Sequence, residues 1–156
     1  MLSALLLHTL GLAHAFGMPG EGPPLRVRMT GHQFWSEVRY PDDGVVTANE
    51  VRIPTGRDVL LEVASADVIH SVWIPALHGK IDMIPGRMNT RRLRAGRPGV
   101  LRGQCAEFCG AQHALMAFHV VAETPEGFDA WMERQRQPVP EAGDEFLGTT
   151  PTCRSR

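Results

Sequence analysis

Residues 105–122 read CAEFCGAQHALMAFHVVA. The second part, 117–122, has the apolar and β-branched character of a strand, and 100–102 is a shorter strand before it. The first part is a loop between two strands that carries Cys105, Cys109, His113 and Met116. Thiolate and thioether are soft ligands that favour copper, and imidazole suits copper too. One Cys, one His and one Met would make a mononuclear blue-copper site. The second Cys supplies a second bridging thiolate, so the loop can hold two copper ions if another histidine arrives from elsewhere. His70, in DVIHS at 67–71, is the candidate.

Outward from this loop the chain keeps the same texture. Leu25, Val27 and Met29 alternate with Arg26, Arg28 and Thr30, giving one apolar face. Further strands are predicted at 34–40, 45–53, 59–63, 68–74 and 90–93. Pro41-Asp42-Asp43-Gly44, Pro54-Thr55-Gly56 and Pro98-Gly99 are the turns, and a loop runs through Pro75 and Pro85-Gly86. Many short strands with Gly/Pro turns predict an all-β sandwich or barrel. One helix follows: Thr124 is its N-cap, Pro125 its first residue, and Phe128, Trp131 and Met132 share a face.

The bulk numbers are consistent with one domain. At 156 residues, with 43% hydrophobic content and a net charge of -1, the chain has room for a core and no bias towards nucleic acid. Cys105, Cys109 and Cys153 are an odd set for a disulfide framework. A Cys105–Cys109 disulfide is the redox alternative to a metal. Zinc is the bland metal alternative, since Cys105, Cys109, His113 and His70 would satisfy it, but zinc leaves Met116 unexplained. His8, His14, His78 and His119 have no partner pattern, and His32 sits beside the aromatic pair Phe34-Trp35.

Residues 1–16 are apolar and carry no charged side chain. As a helix they would span about 24 Å, short of a hydrocarbon core of about 30 Å. They read as part of a transmembrane helix or as a signal peptide with Ala13-His14-Ala15 at the cleavage site. Both place the rest of the chain outside the cytoplasm. The resulting organisation is an apolar segment at 1–16, a Gly/Pro linker at 17–24, a domain at 25–137, and a linker and tail at 138–156.

The stretches GHQFWSEVRYP (31–41), ANEVRIPTGR (48–57), SADVIHSVWIPALHGKIDMIPGR (65–87), RPGVLRGQCAEFCGAQHALMAF (97–118) and FDAWM (128–132) resemble subunit II of haem-copper cytochrome c oxidases, in its CuA domain. The resemblance implies a cupredoxin-like Greek-key β-barrel with one C-terminal helix. It implies that Cys105 and Cys109 bridge two copper ions and that His70 and His113 cap one each. It also makes Met116 and the Glu107 carbonyl weak ligands, and the Glu107 side chain a magnesium ligand at the border with subunit I. Cytochrome c would be the electron donor and the haem of subunit I the acceptor, on the periplasmic face of a bacterial inner membrane. Asp67 and nearby carboxylates would face the basic rim of cytochrome c, where such charges raise encounter rates. Oxygen chemistry would lie in subunit I.

The chain departs from the family pattern in three places. The family usually has tryptophan where Phe34 stands, and electrons enter there; here the indole is at Trp35, and neighbouring strand residues face opposite sides. Two transmembrane helices are expected before the domain, against one partial segment here. GDEFL at 143–147 resembles the start of a fused cytochrome c domain, yet the haem motif Cys-x-x-Cys-His does not follow Cys153. No haem is expected in this chain, and a frameshift or fragmentary reading frame is the corresponding expectation. The alternatives are the CuA domain of a nitrous oxide reductase, which generally has tryptophan at the Glu107 position, and a soluble copper-binding protein.

Overall fold

The computed structural model describes residues 1–17 and 22–137, with side chains of 13–17 left aside. Among the described residues there are ten strands and two α-helices: α1 (Leu2–Gly17), β1 (Leu25–His32), β2 (Trp35–Tyr40), β3 (Val45–Ala48), β4 (Glu50–Pro54), β5 (Val59–Ser65), β6 (His70–Trp73), β7 (Ile81–Met83), β8 (Asn89–Leu93), β9 (Gly99–Cys105), β10 (Ala117–Glu123) and α2 (Pro125–Arg136). The tail at 138–156, with Cys153, lies outside the described residues.

The strands make two five-stranded sheets, ordered β3-β2-β1-β5-β8 and β4-β10-β9-β6-β7. Period-two burial explains why they pack. β1 and β5 alternate buried and half-buried positions along their whole length, so Leu25, Val27, Met29, Val59, Leu61 and Val63 all point to one interior. Val51, Ile53, Val120 and Ala122 do the same from the second sheet. The parallel pairs β1–β5 and β4–β10 are joined through connections that change sheets. This is the cupredoxin-like Greek-key arrangement, with its core between the sheets.

One side chain bonds across the two sheets and also anchors the helix. Tyr40, fully buried on β2, donates its hydroxyl to the Arg52 carbonyl of β4 and accepts from the Arg52 N–H, at 2.9 and 2.7 Å. Its ring packs edge-on against Trp131 of α2. The helix starts as predicted: the Thr124 hydroxyl accepts from the Gly127 N–H, Pro125 follows, and Phe128, Trp131 and Met132 are buried.

The strand predicted over 45–53 is two strands. Asn49 separates them with φ of 57°, a left-handed conformation that asparagine tolerates. Its side-chain oxygen accepts from the Ser36 N–H at 2.8 Å, so the break is fixed and the chain crosses from one sheet to the other. The loop predicted after Pro75 contains the three-residue strand β7, which pairs with β6. Its brevity hides it from periodicity. α1 is a 16-residue helix with exposed leucines, and among the described residues no helix is long and apolar enough to cross a membrane.

Candidate metal centre

Three segments meet at one end of the two sheets: the β1–β2 turn at 33–34, the connection from β5 into β6, and the loop between β9 and β10. The last is closed at its base, where the Cys105 N–H donates to the Met116 carbonyl at 3.0 Å. It is fastened to β6 where Val72 pairs with Cys105 and the Ala106 N–H donates to the Ser71 carbonyl at 2.9 Å. A short 3-10 turn, His113–Leu115, then brings His113 back over the loop. Cys105, Cys109 and Met116 are buried as a small cluster with Phe34 packed against it.

The donor atoms form a chain. His70 Nδ1 lies 3.8 Å from Cys105 Sγ, the two sulfurs are 3.8 Å apart, and Cys109 Sγ lies 3.5 Å from His113 Nδ1. Each half has one further donor: the Glu107 carbonyl 3.2 Å from Cys105 Sγ, and Met116 Sδ 3.9 Å from Cys109 Sγ. Both thiols are free, and their separation is far beyond the roughly 2 Å of a disulfide bond. His70, Cys105 and Cys109 are all buried, with ligand atoms within 4.8 Å of one another. Thiolate, imidazole and thioether donors around one small space fit soft metals, and the thioether fits copper better than zinc.

His70 is fully buried and its orientation is fixed. Its Nε2 donates to Asp67 Oδ1 at 2.8 Å, which leaves Nδ1 bare towards the thiols. Asp67 in turn accepts the backbone N–H groups of Gln33 and Val68, both at 2.7 Å. Partial burial works to raise the Asp67 pKa, but the hydrogen bond from His70 and those two N–H groups outweigh it and bring it to about 2. The Asp67 side chain stays about one-third exposed while it holds His70. Burial, followed by the neighbouring Cys105 thiol, pushes the Cys109 thiol up, so a metal must displace a proton there.

The aromatic pair divides. Phe34 packs on the thiol cluster, whereas Trp35 is exposed and stacks on His32, with centroids 4.5 Å apart and planes within 7°. The Glu107 carboxylate accepts from Lys80 Nζ at 3.1 Å; Lys80 also reaches Asp82 at 3.3 Å. His113 meets the group of His70, Cys105 and Cys109 at Cys109 alone, and the His78 Nδ1 bonds the Gly79 carbonyl instead. His14 is among the residues whose side chains are not described.

Sequence reading missed two residues here. Gly31 leaves room for His70: a Cβ on it would stand 2.8 Å from His70 Cδ2. Gln33 bonds the site twice, through its backbone to Asp67 and through its side chain to the Cys109 carbonyl at 2.6 Å. Both lie in the stretch GHQFWSEVRYP (31–41), but their roles do not show there, because both act on partners more than thirty residues away.

The family model described as "Cytochrome C oxidase subunit II, periplasmic domain" matches residues 37–123, more than half of the chain. Cytochrome c oxidase subunit 2 of Alkalihalophilus pseudofirmus is 45% identical over 115 residues, which cover 74% of this chain and 34% of that protein. Cytochrome c oxidase subunit 2 of Thermostichus vulcanus is 38% identical over 139 residues, 89% of this chain and 42% of that protein. The chain therefore spans well under half the length of these relatives. The crystal structure of the periplasmic domain of subunit II of cytochrome oxidase (CoxB) of Bradyrhizobium japonicum superposes with a TM-score of 0.69 at 31% identity, over 71% of this chain and 92% of that one. A mixed disulfide intermediate between a thioredoxin-like protein and subunit II of cytochrome c oxidase gives 0.68 at 29% identity, over 76% and 95%.

Proposed function

The chain belongs to the cytochrome c oxidase subunit II family, and on that footing we propose that it holds a dinuclear copper centre of the CuA type that takes single electrons from cytochrome c and passes them to the haem of subunit I. Its relatives are components of an oxidase, which makes the chain part of an oxidoreductase complex at the coarse level. The observation that carries the finer reading is the run of donors from His70 through Cys105 and Cys109 to His113, with the Glu107 carbonyl and Met116 one on each half.

Two copper ions held there would supply single-electron transfer. The chain's own residues supply the cage. Cys105 and Cys109 would hold the metal as thiolates, having given up their protons. Asp67 holds the His70 ring so that Nδ1 faces inward, and the 3-10 turn presents His113 from the opposite side. Burial of His70, both cysteines and Met116 excludes water, so little solvent rearranges when charge arrives. Two sheets and a loop closed at its base keep the donors in place in either charge state.

Partner chemistry follows from what surrounds the cage. Trp35, Val68, Ile69, Phe108 and Leu115 are exposed on the segments that carry the site, the last two at 77% each. Such a surface suits docking against subunit I and a small redox protein. Phe34, packed on the thiol cluster, is the aromatic ring through which electrons would enter, ahead of Trp35. Glu107 would contribute to a magnesium site at the subunit I border, where the cation would replace the Lys80 ammonium. The domain would stand on the periplasmic face of a bacterial inner membrane, with the apolar α1 as a membrane-associated segment. The relatives reported above are oxidase subunits, which favours this reading over a nitrous oxide reductase domain or a soluble copper-binding protein.

Copper loading of the full chain under reducing conditions tests the reading. Two coppers per chain, falling in Cys109→Ser, are expected. One copper in the unaltered chain, or binding of zinc only, would overturn it.

A further inference from the structure

The metal cage is fastened from outside by a residue that touches no ligand atom. Gln33 occupies the turn between β1 and β2, 34 residues from Asp67 and 76 from Cys109. Its backbone N–H donates to Asp67 Oδ2 at 2.7 Å, and the other oxygen of that carboxylate holds His70. Its side-chain Nε2 donates to the Cys109 carbonyl at 2.6 Å. One residue therefore bonds both ligand-bearing segments.

The contact is built into the backbone on the other side. Gly110, next to Cys109, has φ of +129°, and a Cβ there would lie 2.9 Å from Gln33 Nε2 and 3.1 Å from the Phe34 ring. The close approach of the turn thus depends on a position without a side chain. The loop from 106 to 116 otherwise has few ties. Ala106 is held by Ser71 and Glu107 by Lys80. Between Glu107 and the base of the loop, where the Cys105 N–H meets the Met116 carbonyl, the hydrogen bond from Gln33 is, among the described residues, the one the loop receives from another segment.

From this we infer that Gln33 is a positioning residue of the metal centre: it fixes the reach of the Cys109–His113 half of the cage relative to the His70 half. The inference rests on the copper reading above. Outer partners that orient metal ligands typically change metal affinity by about 10- to 100-fold when removed.

Gln33→Leu deletes the side-chain donor and keeps the backbone bond to Asp67; Gln33→Glu puts an acceptor against the Cys109 carbonyl. Both are made in the full chain. In the metal-free protein, amide exchange across 106–116 should rise by about 10-fold in each variant, the equivalent of one lost hydrogen bond of ordinary strength, with the thermal midpoint unchanged. In the loaded protein, both variants should still take two coppers, release copper to excess chelator about 10-fold faster, and show a shifted copper EPR signal. Wild-type exchange, release and EPR in Gln33→Leu would overturn the inference. So would a midpoint that falls in step with exchange over the whole domain, which would make Gln33 a fold residue only. If the unaltered chain binds no copper, the copper reading fails, while the exchange measurement still decides whether Gln33 holds the loop.

Discussion

Asp67 Oδ1 accepts from His70 Nε2 at 2.8 Å, and this single bond turns the other ring nitrogen towards the thiols. Without it, the buried imidazole has a choice of tautomer and of rotation. Asp67→Ala should therefore raise the copper dissociation constant by about 10- to 100-fold. Asp67→Asn, which keeps an accepting oxygen, should lie closer to the unaltered chain. Competition with a chelator of known affinity measures both. Equal retention in all three proteins would show that Asp67 does not set the His70 ring.

The same ring explains why residue 31 is glycine. A Cβ at Gly31 would stand 2.8 Å from His70 Cδ2 and 3.1 Å from Cγ, and the ring cannot retreat while Asp67 holds it. Gly31→Ala should cost about 1–3 kcal/mol, the usual range for overpacking. Urea unfolding of the metal-free chain gives the figure. A cost near zero would mean that His70 yields easily and is not fixed before metal arrives.

The domain also has a pH-dependent contribution to stability away from the candidate metal centre. Glu62 on β5 accepts from Arg28 at 2.9 Å and Arg26 at 3.2 Å on the neighbouring β1. Burial works to raise its pKa, but the hydrogen bonds from Arg28 and Arg26 outweigh it and leave the pKa below the ordinary 4.5. A carboxylate with a lowered folded-state pKa contributes stability above its unfolded value, and the contribution is lost as pH falls through the folded value. The arginines are about two-fifths exposed, so solvent screening keeps the term to about 1 kcal/mol or less. Glu62→Gln should lower stability at pH 7 by that amount and flatten its fall below pH 4.5. Denaturant midpoints at a series of pH values decide it; parallel curves would contradict the assignment.

That the loop gathers its donors was legible because they are local: Cys105, Cys109, His113 and Met116 lie within one turn-rich stretch. The strands were legible where one face is buried, as in Leu25–Met29 and Val59–Val63. Three things were not. β7 is too short to show a period. The break at Asn49 depends on a hydrogen bond to Ser36 that only the folded β2–β3 hairpin creates. Gly31 and Gln33 act across the sheets, on His70, Asp67 and Cys109, so their roles exist only after the chain has brought those segments together.

The central claim is that Cys105 and Cys109 together hold two metal ions as one electronic unit. The most direct measurement is EPR of the full chain loaded with copper and partly oxidised, with hyperfine splitting used to count the nuclei that share the electron. The expected result is one unpaired electron spread equally over two coppers, collapsing to a single-copper pattern in Cys109→Ser. A signal confined to one copper in the unaltered chain would contradict it.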